Sequence, residues 1–189
     1  MPKRPQQKKM GKVTGRSRSP TRSFKAQKTC SYWIKKEIKK NKKTSKGLKC
    51  SKILELTECQ PRFIGCFAES KIHTLKIMVK PVFFMVHVGI QNGHWIAVGI
   101  FSDKIEIFDP LGFEIFKWPE IPCSFLTFLH IHSQNKRLVI SGRVQPKNSH
   151  LCGFYCLLYI IKRPKMSFLK IQSLFSTYRN NDLLLPKLF

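Results

Sequence analysis

A glutamine, Gln145, stands seven residues before a cysteine, Cys152, that opens an apolar stretch, in the run QPKNSHLCGFYC. Upstream lie His94-Trp95 and Asp109-Pro110, each at the end of a strand-like run. In chain order these give a base, an orienting carboxylate, an amide donor and a thiol, the parts a cysteine protease uses. Cys152 sits where a polar loop meets a predicted helix, so the first free N–H groups of that helix would face the sulfur and favour a thiolate. Gly153 beside it would let a substrate backbone approach closely. The Gln145 amide can aim N–H groups at an oxyanion, alongside the backbone N–H of Cys152. His94, shielded by Trp95, would take the thiol proton, and Asp109 would accept the other ring N–H and fix the tautomer.

Singly, each residue has a blander reading. Most free cysteines are small core residues, and Cys156, one turn inside the helix, is read that way. Gln145 alone is a solvated loop residue, and an Asp before Pro is a common turn former. Five of the six histidines are read as structural, mid-strand His87 among them. Order and setting together make catalysis the better reading. A metal site is a poorer one: His150, Cys152 and Cys156 cluster, as do His130 and His132, but no Cys-x-x-Cys pair accompanies them. No glycine loop of the kind that cradles phosphate is present.

The elements that must position these residues follow from hydrophobic patterning. A short helix is expected over Lys52–Thr57, then a turn at Gln60-Pro61 and an apolar segment, Phe63–Phe67. Pro81–Ile90 reads as a strand buried on both faces, Gln91-Asn92-Gly93 as a turn, and His94–Phe101 and Lys104–Phe108 as further strands. Ser124–Ile131 is helix or strand, and Arg137–Val144 another strand. Cys152–Lys162 is an almost wholly apolar helix, of the kind buried centrally, and Pro164 ends it. Phe168–Tyr178 has helical spacing. Strands around a central buried helix predict an α+β fold.

Charge divides the chain. Residues 1–52 carry 19 Lys and Arg against one acid, Glu37, a net +18, while 53–189 carry 16 against nine, a net +7. The expected organisation is therefore a basic tail, 1–52, and a folded domain, 53–189. The first 28 or so residues have almost nothing to bury and are expected to be disordered. They include an arginine-serine tract from Arg16 to Ser23. Tyr32–Lys43 can form a short basic helix with Trp33 and Ile34 on one side, although a solvated linker is the favoured reading. Such a tail suits a nucleic-acid arm or a nuclear-import signal, with salt-sensitive binding. No signal peptide and no run able to span a bilayer is read, so no membrane partner is expected. Seven cysteines without a framework of spacings suit a reducing compartment, giving an intracellular, soluble protein.

At four blocks the chain resembles the adenovirus endopeptidases (adenains), within the wider group that includes SUMO-specific proteases. They are FIGCF at 63–67, GHWIAVGI at 93–100, FDPLGF at 108–113 and VQPKNSHLCGFYC at 144–156. They span roughly half the chain, and the last is the most specific. The resemblance implies a cysteine-protease fold with a mixed sheet and a central helix carrying the nucleophile. It implies His94 as base, Asp109 as orienting acid, Gln145 in the oxyanion hole and Cys152 as nucleophile. It further implies cleavage of virion precursor proteins at glycine-containing sites during maturation, in the host nucleus and virion. No cofactor is required for the chemistry, with DNA and a viral peptide as activators. Three departures stand beside it. The acid is Asp109, usual in the SUMO-protease branch, where adenovirus enzymes more often have Glu. The stretch before Gln145 has Lys136 and Arg137 but no cysteine, so a disulfide to an activating peptide is unsupported. The part after Cys152 is short and the basic N-terminal tail is extra, which points to a distant virus or a virus-like transposon. The alternatives are a deconjugating protease for ubiquitin-like proteins and a non-enzymatic DNA-binding virion core protein.

Overall fold

A computed structural model describes residues 20–44, 46–89, 93–113, 121–175 and 180–189, with side chains from Ser31 onward. Helix α1 spans Pro20–Thr44 and α2 Cys50–Thr57. Strand β1, Phe63–Ala68, leads into a 3-10 turn at Glu69–Thr74, followed by β2 (Val82–Val88), β3 (His94–Ile100) and β4 (Lys104–Phe108). Then come α3 (Cys123–Ser133), β5 (Arg137–Ile140), α4 (Cys152–Lys162), α5 (Phe168–Ser173) and α6 (Asn181–Leu188). The protein is α+β, as its patterning predicts. Helical periodicity in Ser124–Ile131 resolves as α3, and the expected strand from Arg137 stops at Ile140. The first part of the arginine-serine tract, the Gln91-Asn92 turn and the end of the expected helix up to Tyr178 lie outside the described residues.

The five strands form one sheet in the order β1-β2-β3-β4-β5. The central pairs β2–β3 and β3–β4 are antiparallel, and both outer pairs are parallel. Both faces are covered, so each strand alternates between two apolar layers rather than between core and water. Phe83, Met85, Trp95, Ala97 and Phe108 face α1, α2, α4, α5 and α6. Val82, Phe84, Ile96, Val98, Ile105 and Ile107 face α3 and the 3-10 turn. Helix α4 lies in the first layer, buried from Cys152 through Ile160.

The apolar character of α4 explains its position, and one ion cluster fixes its axial placement. Glu106 on β4 is fully buried. Its carboxylate accepts from Arg163 Nε at 2.6 Å and Nη2 at 2.8 Å and from the Tyr159 hydroxyl at 2.9 Å, with Lys104 Nζ at 3.1 Å. Burial alone would raise the Glu106 pKa, but these donors hold it below the usual carboxylate range. Removing Arg163 would leave the buried carboxylate with Lys104 as its remaining cation among the described residues and two fewer donors.

Two expectations are corrected. The folded body does not begin at residue 53: that boundary falls within α2, and Ile34, Ile38 and Leu48 are buried in the α4-side core. Ile34, Ile38 and Asn41 recur at helical spacing and form the inner stripe of α1, while Lys35, Lys36, Lys39, Lys40 and Lys43 point outward. Composition averaged over 52 residues hides a stripe this narrow. Nor are the cysteines all free, because Cys50 at the start of α2 is disulfide-bonded to Cys66 on β1. Closing a loop of 16 residues in this way is worth roughly 3 kcal/mol on chain-entropy grounds.

Candidate active site

The antiparallel pairing of β3 with β4 brings the start of one strand beside the end of the other. Ala97 pairs with Phe108, so His94 and Asp109 emerge at the same edge. His94 Nε2 and Asp109 Oδ1 are 2.6 Å apart, in a buried contact. Asp109 is held from several sides. Its two carboxylate oxygens accept from the backbone N–H groups of Leu111 and Phe113, each at 2.9 Å, and its own N–H donates to Ser141 Oγ at 2.8 Å. The Asp-Pro turn is thus a socket that orients one carboxylate. Gly112 completes it at φ 63°, where a Cβ would lie 2.3 Å from the Arg143 backbone nitrogen. The Phe113 ring stands edge-on to His94, with centroids 6.2 Å apart.

Helix α4 brings Cys152 to the other side of the imidazole, and its sulfur hydrogen-bonds to His94. With Nε2 taken by Asp109, Nδ1 is the ring nitrogen left for sulfur. Burial would lower the His94 pKa. The hydrogen bonds to Asp109 and Cys152, and the charge on both, outweigh it and raise the value to about 9. At neutral pH the ring is therefore an imidazolium beside a sulfur at a helix N-terminus. The N–H groups of Cys152 and Gly153 have no backbone acceptor among the described residues.

Gln145 is almost fully buried at the base of the 145–151 loop. Its N–H, and that of Val144, donate to Pro110 O at 2.8 and 2.9 Å, so the Asp109 turn also anchors the glutamine. The side-chain Nε2 donates to Ser149 O at 2.7 Å, while Oε1 has no partner among the described residues. An amide nitrogen carries two hydrogens. The second N–H of Gln145 has no partner among the described residues. Cys156 is packed, as expected: its Sγ lies 3.2 Å from Trp95 O, and burial pushes its thiol pKa well up.

A cleft of about 470 Å³ opens beside Cys152, lined by Gly47 to Cys50, Cys66 to Ala68, His87, Gly93 and Trp95. Sequence reasoning missed two of its walls. The strap before α2 closes over the helix end: Trp95 Nε1 donates to Leu48 O at 2.8 Å. The space above Gly153, expected to admit a substrate backbone, is filled instead by Leu48 and Trp95, at 2.9 and 3.2 Å from where a Cβ would stand. His87, read as structural, faces the cleft. It pairs across the hairpin with Trp95, ring centroids 4.7 Å apart. Burial lowers its pKa, which Glu69 opposes and His94 reinforces. The β2–β3 register, which pairs Val88 with His94 and His87 with Trp95, puts His87 there, and no local sequence pattern marks that register. No three His, Cys, Asp or Glu are arranged to hold a metal ion among the described residues.

No family model matches the chain, and neither does any curated protein. Among solved structures it is similar to the central domain of the uncharacterized Lpg1148 protein of Legionella pneumophila, at 20% identity and a TM-score of 0.41. That match covers 66% of this chain and 81% of the other. A likeness this slight bears on neither the fold nor the chemistry.

Proposed function

We propose that the protein is a cysteine endopeptidase. The observation that carries the reading is the convergence of His94, Asp109 and Cys152 from three separate elements, with the imidazole hydrogen-bonded on both sides. In this mechanism the Cys152 sulfur attacks the scissile carbonyl carbon, forming a C–S bond. The oxyanion accepts from the Cys152 N–H and the spare N–H of Gln145. His94 donates its proton to the amine as the C–N bond breaks. It then removes a proton from water, which hydrolyses the thioester and frees the sulfur.

The resemblance to adenovirus endopeptidases extends the reading to virion precursors cut at glycine-containing sites, with DNA held by the basic N-terminal segment. The cations on the outer face of α1 support that partner, because a row of Lys at helical spacing neutralises phosphates. The test is cleavage of a panel of glycine-containing peptides by wild type and Cys152→Ala, each with and without DNA. Loss of cleavage in the variant, by at least about 10³-fold, is the expected result. Cleavage only of ubiquitin-like C-termini would move the assignment to deconjugation. DNA binding by both proteins with no cleavage by either would favour a core protein.

A further inference from the structure

Helix α6 does not line the cleft, yet its first residues hold the loop that carries Gln145. Asn181 Nδ2 donates to Val144 O at 2.7 Å. Asp182 Oδ1 accepts from Ser149 Oγ at 3.0 Å and from the Tyr155 hydroxyl, on the first turn of α4, at 2.8 Å. Ser149 Oγ in turn accepts from the N–H of Leu151, the residue before the helix, at 3.2 Å. Ser149 O is also the acceptor for Gln145 Nε2. That bond decides which way the amide faces, since a flipped amide would set Oε1 against the Ser149 carbonyl oxygen. Burial and the Asp182 charge push the Tyr155 pKa well up, so Tyr155 remains a donor. Lys42 Nζ on α1 donates to the Asp182 carbonyl and braces α6 from outside.

We propose that Asp182 is a positioning residue that fixes Ser149, and through it the facing of the Gln145 amide toward the oxyanion. This rests on the cysteine-endopeptidase reading for its kinetic meaning, but the clamp itself is a property of the loop. Asp182 acts through Ser149 and touches no reacting atom. Its carboxylate bridges the loop and α4, so losing it frees the two to shift relative to each other. A misplaced donor costs turnover more than binding, because the oxyanion exists only after attack.

The experiment compares Asp182→Leu and Asp182→Asn with wild type. Steady-state peptide cleavage, the alkylation rate of Cys152 followed by peptide mapping, and melting temperature are measured for each. In Asp182→Leu, kcat should fall at least about tenfold, with KM and Cys152 alkylation within about twofold of wild type. In Asp182→Asn, whose Oδ1 still accepts from both hydroxyls, kcat should stay within about threefold. Ser149→Ala should repeat the kcat loss, giving a second route should the leucine variant not fold. Unchanged kcat in Asp182→Leu, or a parallel fall in kcat, alkylation and melting temperature, would overturn the proposal. If wild type cleaves nothing, the protease reading fails separately, and hydrogen exchange across 145–151 decides for the clamp. Faster exchange in Asp182→Leu than in Asp182→Asn would sustain it, and equal exchange would overturn it.

Discussion

Burial alone would strip His94 of its proton near neutrality, and its two hydrogen-bonded partners hold that proton to about pH 9. Chemistry that needs the imidazolium is therefore available below that value and lost as pH rises through it. The alkaline limb of kcat/KM should lie near pH 9, with the His94 ring resonances titrating at the same midpoint. Asp109→Asn removes the charge and leaves desolvation less opposed, so both midpoints should move to lower pH. Activity at neutrality should fall on the order of 10²-fold. A limb still near pH 9 in that variant would mean that Asp109 does not set the His94 proton affinity. Gln145 and Ser149 differ from these residues in carrying no charge to titrate. Their contribution would show in kcat and not in the shape of a pH profile.

Helix α1 makes the sharpest test among the elements. Ile38 is fully buried, so Ile38→Ala should cost about 2–5 kcal/mol in chemical denaturation. A solvated linker would lose almost nothing. Much of the remaining architecture was legible, because period-two and period-3.6 patterns survive wherever one layer faces one partner. Cys152–Lys162 was read to the residue, since an apolar helix bounded by a polar loop and Pro164 admits few other boundaries. The meeting of His94 with Asp109 was legible as order along the chain, and strand register turned order into distance. What stayed hidden was of two kinds. The inner stripe of α1 was masked by the lysines around it. The strap at Leu48 and the clamp at Asp182 are made by backbone carbonyls and by contacts across 47 and 33 residues, which no local pattern encodes.

At the scale of the molecule, charge and fold are superimposed. The net +25 includes an N-terminal excess that the chain carries partly on a helix packed into its own core. If that helix holds DNA, changing Lys35, Lys36, Lys39 and Lys40 to Ala should reduce the slope of log affinity against log salt by about four. The melting temperature should barely move, since all four lysines are exposed. An unchanged slope would assign the binding to other cations. The two-faced design of α1 also limits how the gene can drift. An insertion of one residue between Ile38 and Asn41 turns everything after it by about 100° around the axis. Lysines would then swing toward the core and Asn41 toward water. Substitutions along this segment can accumulate one at a time, while a gain or loss of one or two residues breaks the stripe, so alignments of descendants should show no such short gaps where composition suggests an arm of arbitrary length.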